Sequence, residues 1–351
     1  MSLTLATDWY YLHGKPQASA RFKAIADDFI VTEELGYATS GEGEHIFLWV
    51  EKQDLNTAFV AEALAKFTGL PLRAVSYAGR KDKFALTQQW FGVHMPGNQQ
   101  LDWSAFSLPG ARILDNQRHH KKLRTGQLKG NRFTIRLRDL TDMPWALERA
   151  ALIKAYGAPN YFAEQRFGVV RGSDGQLHTG GNLAMAQRMM DGETIRNRNK
   201  RSMAISALRS WLFNHVVSAR INADCYDEIL AGDAMQLSGS NSFFIVPAVD
   251  ETLRQRLSEG DIAITAPLAG KGKWLTQDAA EEFEQQSCRN FQPVLDTLTA
   301  LDLKQERRAI SLRPENFEWD VDGNDLCLQL SLPAGCYATA VIRELVNVEE
   351  G

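Results

Sequence analysis

The sequence predicts an α+β protein in which a sheet domain is interrupted by a helix-rich α+β insertion. Three observations predict it. Residues 1–157 alternate strand-like and helix-like segments; from about 158 to 305 the texture shifts to glycine-dense loops and long helices; and sheet-like alternation returns after Arg307. That order fits a split domain better than two tandem ones. The expected division is 1–157 plus 306–351 for the sheet domain and 158–305 for the insertion.

Phe29 to Glu33 and His45 to Val50 are rich in β-branched and aromatic residues and read as strands. Asn56 is a good N-cap for a helix from Thr57 to Thr68, stopped by Gly69. Phe59, Val60, Ala63, Leu64 and Phe67 fall on one face of it. Ala74 to Ala78 is a short strand running into the turn Gly79-Arg80-Lys81-Asp82-Lys83, and Thr87 to Met95 is the next strand. From Asn131 to Asp139 the pattern alternates, with Asn131, Phe133, Ile135 and Leu137 opposite Arg132, Thr134, Arg136 and Arg138. Asp142 caps a helix with Pro144 near its first turn, ending before Gly157.

Within the insertion, Gly168 to Gly181 is loop-like and a long helix is expected from about Ser202 to Ile221. A hairpin pairs Ala234 to Leu237 with Phe243 to Val246 around a Ser-Gly-Ser-Asn turn. Asp322-Gly323-Asn324-Asp325 between Phe317 to Val321 and Leu326 to Leu332 is a strong hairpin signal, and Tyr337 to Val346 reads as helix.

With 44% hydrophobic and 23% charged residues, the chain can bury a sizeable core, which excludes global disorder. The amino terminus lacks the features of a signal peptide, and the longest apolar runs are strand-sized, so a cytoplasmic protein without a membrane span is expected. Cys225, Cys288, Cys327 and Cys336 are scattered, with no CxxC pair and no His at ligand spacing; reduced thiols and no metal site are expected.

The net charge of -4 hides a segregation. Arg112, Arg118, Lys121, Lys122, Arg124, Lys129, Arg132, Arg136 and Arg138 face a single acid, Asp115, across that stretch. A second cluster, Arg196, Arg198, Lys200 and Arg201, lies in the insertion. Two basic segments in an acidic chain suit a polyanion such as RNA, although each could also be a solvated face.

No GxxxxGK[ST] loop, GxSxG elbow or HExxH motif is present, so any chemistry must come from carboxylates, lysines or histidines placed by the fold. The most unusual local sequence is Gly79-Arg80-Lys81-Asp82-Lys83. Nearby positive charge favours the anionic form of a carboxylate, as a nucleophile or general base beside a polyanion requires. A turn aspartate bonding its own backbone is the other reading of Asp82. In Lys129-Gly130-Asn131-Arg132-Phe133, Asn131 could read a pyrimidine edge and Phe133 could stack on a base; Phe133 could equally continue the core stripe of Ile135 and Leu137.

These pieces, in this order, resemble the transfer RNA pseudouridine synthases of the TruD type. The matching stretches include His13-Gly-Lys-Pro16, Phe22-Lys23-Ala24 with Asp28-Phe29, Gly41-Glu-Gly-Glu-His45 and Ser76-Tyr-Ala-Gly-Arg-Lys-Asp-Lys83. They continue through Lys129-Gly-Asn-Arg-Phe133, Pro159 to Gly168, Arg198-Asn-Lys-Arg-Ser202, Gly232 to Leu237 and Leu332 to Thr339. Departures are Phe84 where His is frequent, Ala163 where Gly is usual and Cys336 where Ser is usual. The resemblance implies a split catalytic domain on a mixed, mostly antiparallel sheet with an inserted domain peculiar to the family. It also implies cofactor-free isomerisation of uridine 13 in the D-arm of transfer RNA. Carried over by position, Asp82 is the catalytic aspartate, Phe29, Asn131 and Tyr337 contact the nucleoside, Phe133 lies near the base, and Lys23 is the basic partner. Transfer RNA is the expected partner, with Lys121, Lys122, Arg124, Arg166, Arg198, Lys200 and Arg201 as RNA contacts and no obligate protein partner.

Two other classes remain open. A non-catalytic RNA-binding protein would not need an aspartate in its most cationic turn. A carboxylate-dependent nucleoside hydrolase normally needs a second carboxylate, for which Glu33 or Glu44 could stand. Arg343 and Glu344 could serve a site or pair with each other.

Overall fold

A computed structural model describes residues 9–97, 100–171, 177–240 and 242–350. The amino-terminal octet, residues 172–176 of the glycine-dense loop and Asn241 of the expected hairpin turn lie outside the described residues. Two compact units emerge. One takes Pro16–Ala150, Pro314–Ala338 and the chain from Leu345; the other takes the described residues before Pro16, Ala151–Arg313 and Thr339–Glu344. Relative to the expected division, the described residues before Pro16 and residues 151–157, 306–313 and 339–344 fall with the insertion. Strand Glu306–Ala309 explains the shift at 306–313, since it pairs with Ile262–Leu268 of the insertion's own sheet.

The first unit is built on strands β1 (Ser19–Phe22), β2 (Phe29–Glu34), β3 (His45–Gln53), β4 (Val75–Tyr77), β5 (Leu86–His94), β6 (Ala111–His119) and β7 (Gly130–Arg138). With Glu315–Asp322, Asp325–Pro333 and Asn347–Glu350 they form a ten-stranded sheet. Its main path runs Glu315–Asp322, Asp325–Pro333, β7, β2, β5, β3, β6. Pairing is antiparallel except between β2 and β5 and between β1 and Asn347–Glu350, so the sheet is mixed and mostly antiparallel.

Helix α1 (Thr57–Thr68) follows β3 and ends at Gly69, which adopts φ +68° to close the last turn. Val60, Ala61, Leu64 and Ala65 pack on Ile46, Leu48, Val50, Phe91 and Val93. The expected face was wrong in part: Phe59 is exposed, because the buried stripe runs 57, 60, 61, 64, 65. Asn56 is the N-cap residue, as expected, but its side chain makes no capping bond among the described residues. Helix α2 (Met143–Tyr156) lies where expected.

The other unit centres on helix Arg198–Asn222, which buries Leu208, Trp211, Leu212, Phe213, Val216 and Val217. It begins four residues before the expected start, because Asn197 caps it by accepting a bond from the Lys200 amide. Its sheet contains the expected hairpin, Ala234–Leu237 with Phe243–Ile245. Arg343 and Glu344 pair at 3.0 Å, and Glu344 accepts a bond from the His13 amide, which favours their structural role.

Candidate active site

The turn after β4 is fastened at several points. Gln89 Nε2 donates to the Gly79 carbonyl at 3.4 Å, and the Lys81 amide donates to Thr57 Oγ1 at 3.0 Å. Lys81 Nζ is ion-paired with Glu33, whose other carboxylate oxygen accepts the Trp90 amide at 2.8 Å. Lys52 Nζ donates to the Asp82 carbonyl at 3.0 Å. The chain is thus held before Asp82 and at its own carbonyl while the carboxylate itself stays one-third exposed.

The cation at that carboxylate comes from elsewhere. Lys23 Nζ lies 3.0 Å from Asp82 Oδ2. Lys23 follows β1 with φ +58°, a left-handed backbone that is uncommon for a side-chain-bearing residue and recurs at functional sites. The expectation that the motif's own cations surround Asp82 is therefore corrected. Lys81 is consumed by Glu33, Lys83 lies over the exposed ring of Phe84, and Arg80 is exposed.

An aromatic row flanks the pair. Lys23 Nζ sits 4.1 Å from the Phe29 ring centroid, within cation–π range. Phe22 and Phe29 meet edge to face at 5.4 Å, and Phe29 and Phe133 lie 5.9 Å apart. Phe133 is buried with Ile135 and Leu137, so its core role is real. Asn131 lies two residues back on the same face of β7, and one end of its amide is buried with no hydrogen-bond partner among the described residues. Tyr337 follows strand Asp325–Pro333, whose Pro333 pairs with Gly130. A Cβ at Gly130 would fall 2.3 Å from the Leu332 carbonyl, so glycine is what permits this approach. Lys23, Phe29, Asp82 and Phe133 are brought into a chain of contacts; Asn131 joins through strand register, while Tyr337 lies four residues past the paired strand, just before helix Ala338–Leu345.

Burial governs the titration of the supporting groups. It pushes the Glu33 carboxyl up, against the opposing pull of Lys81, and it pushes the Lys52 ammonium down to about 8. Glu33, committed to Lys81 and the Trp90 amide, is a fastening group for the turn and not a free second carboxylate. Glu44 is exposed beside His94.

The basic segment from Arg112 to Arg138 is partly neutralised within the fold. Arg112 pairs with Glu51 at 2.7 Å, Arg136 with Asp325 at 2.8 Å and Arg138 with Asp28 at 2.7 Å. Lys121, Lys122 and Arg124 are exposed around the buried anchor Leu123, which packs with Ala78. The Gly126 amide donates to the Ala78 carbonyl at 2.8 Å, fastening this loop to the chain that leads into Asp82. Arg198, Lys200 and Arg201 are exposed in the first turn of their helix, and Arg166 donates to Ser206 at 2.9 Å. No helix among the described residues is long and apolar enough to cross a membrane.

The sequence matches the family "tRNA pseudouridine synthase D (TruD)" over residues 7–189 and 181–345. It is 52% identical over 341 residues to a tRNA pseudouridine synthase D of Pseudoalteromonas atlantica, covering 97% of this chain and 96% of that one. A protein of the same name from Proteus mirabilis is 44% identical over 340 residues, covering 96% and 95%. The fold is similar to a crystal structure described as a tRNA pseudouridine synthase D from Methanosarcina mazei. That match has a TM-score of 0.69 at 20% identity, over 98% of this chain and 96% of that one.

Proposed function

The chain belongs to the tRNA pseudouridine synthase D (TruD) family, and from that premise we propose that it isomerises uridine 13 in the D-arm of transfer RNA to pseudouridine. The observation that carries the reading is Asp82, partly open, facing Lys23, on a turn fastened just before it and at its own carbonyl. The protein is an isomerase. The N1–C1′ bond breaks, the uracil turns while held, and C5 bonds to C1′. N1 gains a proton and C5 loses one, so no net oxidation occurs.

Asp82 supplies the reacting carboxylate, either attacking C1′ or taking the C2′ proton. Lys23 steadies that carboxylate and lies over Phe29, where it can shift as the nucleoside enters. Phe29 and Phe133 form the apolar floor beneath the base. Asn131 offers a buried amide end without a partner among the described residues, suited to the edge of uracil, and Tyr337 closes the nucleoside side. Flipping a uridine out of folded RNA costs a few kcal/mol, which stacking and these polar contacts offset in part. Lys121, Lys122, Arg124, Arg198, Lys200, Arg201 and the remaining donors of Arg166 would neutralise phosphates. Cations in the first turn of a helix oppose its dipole, which supports a use beyond folding for Arg198, Lys200 and Arg201.

The test is purified protein with unmodified transfer RNA, read by carbodiimide reactivity at unchanged RNA mass. Pseudouridine is expected at position 13. Absence of product, or equal conversion when cytidine replaces uridine 13, would reject the reading.

A further inference from the structure

Ile46, Leu48, Val50 and Lys52 share one parity of β3, and that parity faces the core. Lys52 is only 1% exposed. A lysine so buried is normally paired with a carboxylate; the Asp82, Glu33 and Asp54 carboxylates attract Lys52 through space, but none forms a close ion pair with it among the described residues. Its ammonium is committed to a backbone oxygen, the Asp82 carbonyl, at 3.0 Å. The other fastenings of the turn act at Gly79 and Lys81; this one acts on Asp82 itself. Desolvation outweighs those attractions and pushes the ammonium down to about 8, so burying this charge is costly and its retention calls for a purpose other than stability.

We propose that Lys52 is the positioning residue of the catalytic turn. It fixes the Asp82 carbonyl and, through the shared Cα, the direction of the carboxylate. Lys52 touches no substrate; it acts through Asp82, and the proposal rests on the reading of Asp82 as the reacting group. A displacement of about 1 Å in a reacting group can slow chemistry roughly 10²-fold, so one lost bond to this carbonyl is enough to matter.

Lys52→Met keeps the length of the stem and removes both donor and charge. Single-turnover rates at saturating transfer RNA are expected to fall on the order of 10²-fold. RNA affinity should stay within about twofold of wild type, and the melting temperature at neutral pH should not drop, because a costly buried charge has gone. A purely structural lysine gives the opposite result, in which activity falls only in step with thermal stability. That outcome, or turnover within about threefold of wild type, overturns the proposal. If Lys52→Met does not fold, Lys52→Gln carries the same expectation, since its neutral amide falls short of the carbonyl. Asp82→Asn is run alongside. If it keeps turnover, the reading of Asp82 falls; if it is inactive while Lys52→Met is not slowed, only the Lys52 proposal falls.

Discussion

Two aspartates in this molecule each face a single cation, and they are built in opposite ways. Asp233 and Arg220 lie in the unit centred on helix Arg198–Asn222, both with fully buried side chains. Asp233 also accepts the Leu230 amide at 2.8 Å, and Arg220 reaches the Cys225 and Glu228 carbonyls. Asp82 is one-third exposed, bonded through its side chain only to Lys23 among the described residues, and held through its backbone. In the first pair the carboxylate is the fastening. In the second the fastening is done elsewhere, so the carboxylate is left available. Burial raises the pKa of the Asp233 carboxyl in spite of Arg220, as expected where desolvation competes with pairing.

The largest effect that would break this comparison is on turnover. Asp82→Asn keeps the shape of the side chain but can neither attack nor accept a proton. Turnover should fall by at least roughly three orders of magnitude, with stability changed by about 0.5 kcal/mol or less. Transfer RNA affinity should hold within a few-fold. A variant that kept a tenth of wild-type turnover would remove Asp82 from the chemistry.

The reverse pattern is expected at the buried pair. Asp233→Ala strands the Arg220 guanidinium without its carboxylate and should cost about 3–5 kcal/mol in denaturant titrations. Turnover of the molecules that remain folded should be unaffected. Little loss of stability would show that the two pairs differ less than their burial suggests.

A smaller effect separates Lys52 from both. The folded protein holds this amine near pKa 8, whereas an unfolded lysine titrates near about 10.4. Between those values the unfolded chain binds more protons, so raising the pH favours the folded state. The stability of wild type should therefore improve relative to Lys52→Met from about pH 8 to pH 10 and level off beyond. Parallel stability curves for the two proteins across that range would mean that Lys52 is not desolvated as its burial implies.

How much of this was legible in the sequence depends on which physical signal carried it. The alternation of Asn131, Phe133, Ile135 and Leu137 gave the strand correctly, because one face of it is buried. The order of elements also conveyed the split architecture. The cations around Asp82 were misread, because adjacency in sequence says nothing about where long side chains go. Lys81 turns inward to Glu33, and the real partner, Lys23, lies 59 residues away. A missed signal was available: Glu33 shares parity with Phe29 and Val31, and Lys52 with Ile46, Leu48 and Val50. A charged residue on the inward side of a strand requires a partner, and both partners turn out to lie in the turn that carries Asp82. The overcount of free charge between Arg112 and Arg138 has a similar cause, since Glu51, Asp325 and Asp28 are distant in sequence.

The smallest expected effect concerns charges that are not partnered in this way. Arg198, Lys200 and Arg201 stand exposed in the first turn of their helix, where Asn197 caps the backbone and no acid shares the turn. The helix dipole makes cations unfavourable there by a few tenths of a kcal/mol each, so folding alone gives no reason to keep them. If they neutralise phosphates, each contact releases condensed counterions, and the slope of log affinity against log salt counts the contacts. At about 0.7 to 0.9 per contact, replacing all three with Ala should flatten the slope by up to about two or three units. Affinity should weaken most at low salt, while saturated turnover stays near wild type because Asp82 and its fastenings are untouched. The same substitutions should leave the fold intact or slightly more stable, the reverse of Asp233→Ala. Titrations of wild type and the triple variant at several salt concentrations decide it. Superimposable slopes would make this cluster a solvated face, and would confine the phosphate contacts to Lys121, Lys122, Arg124 and their neighbours.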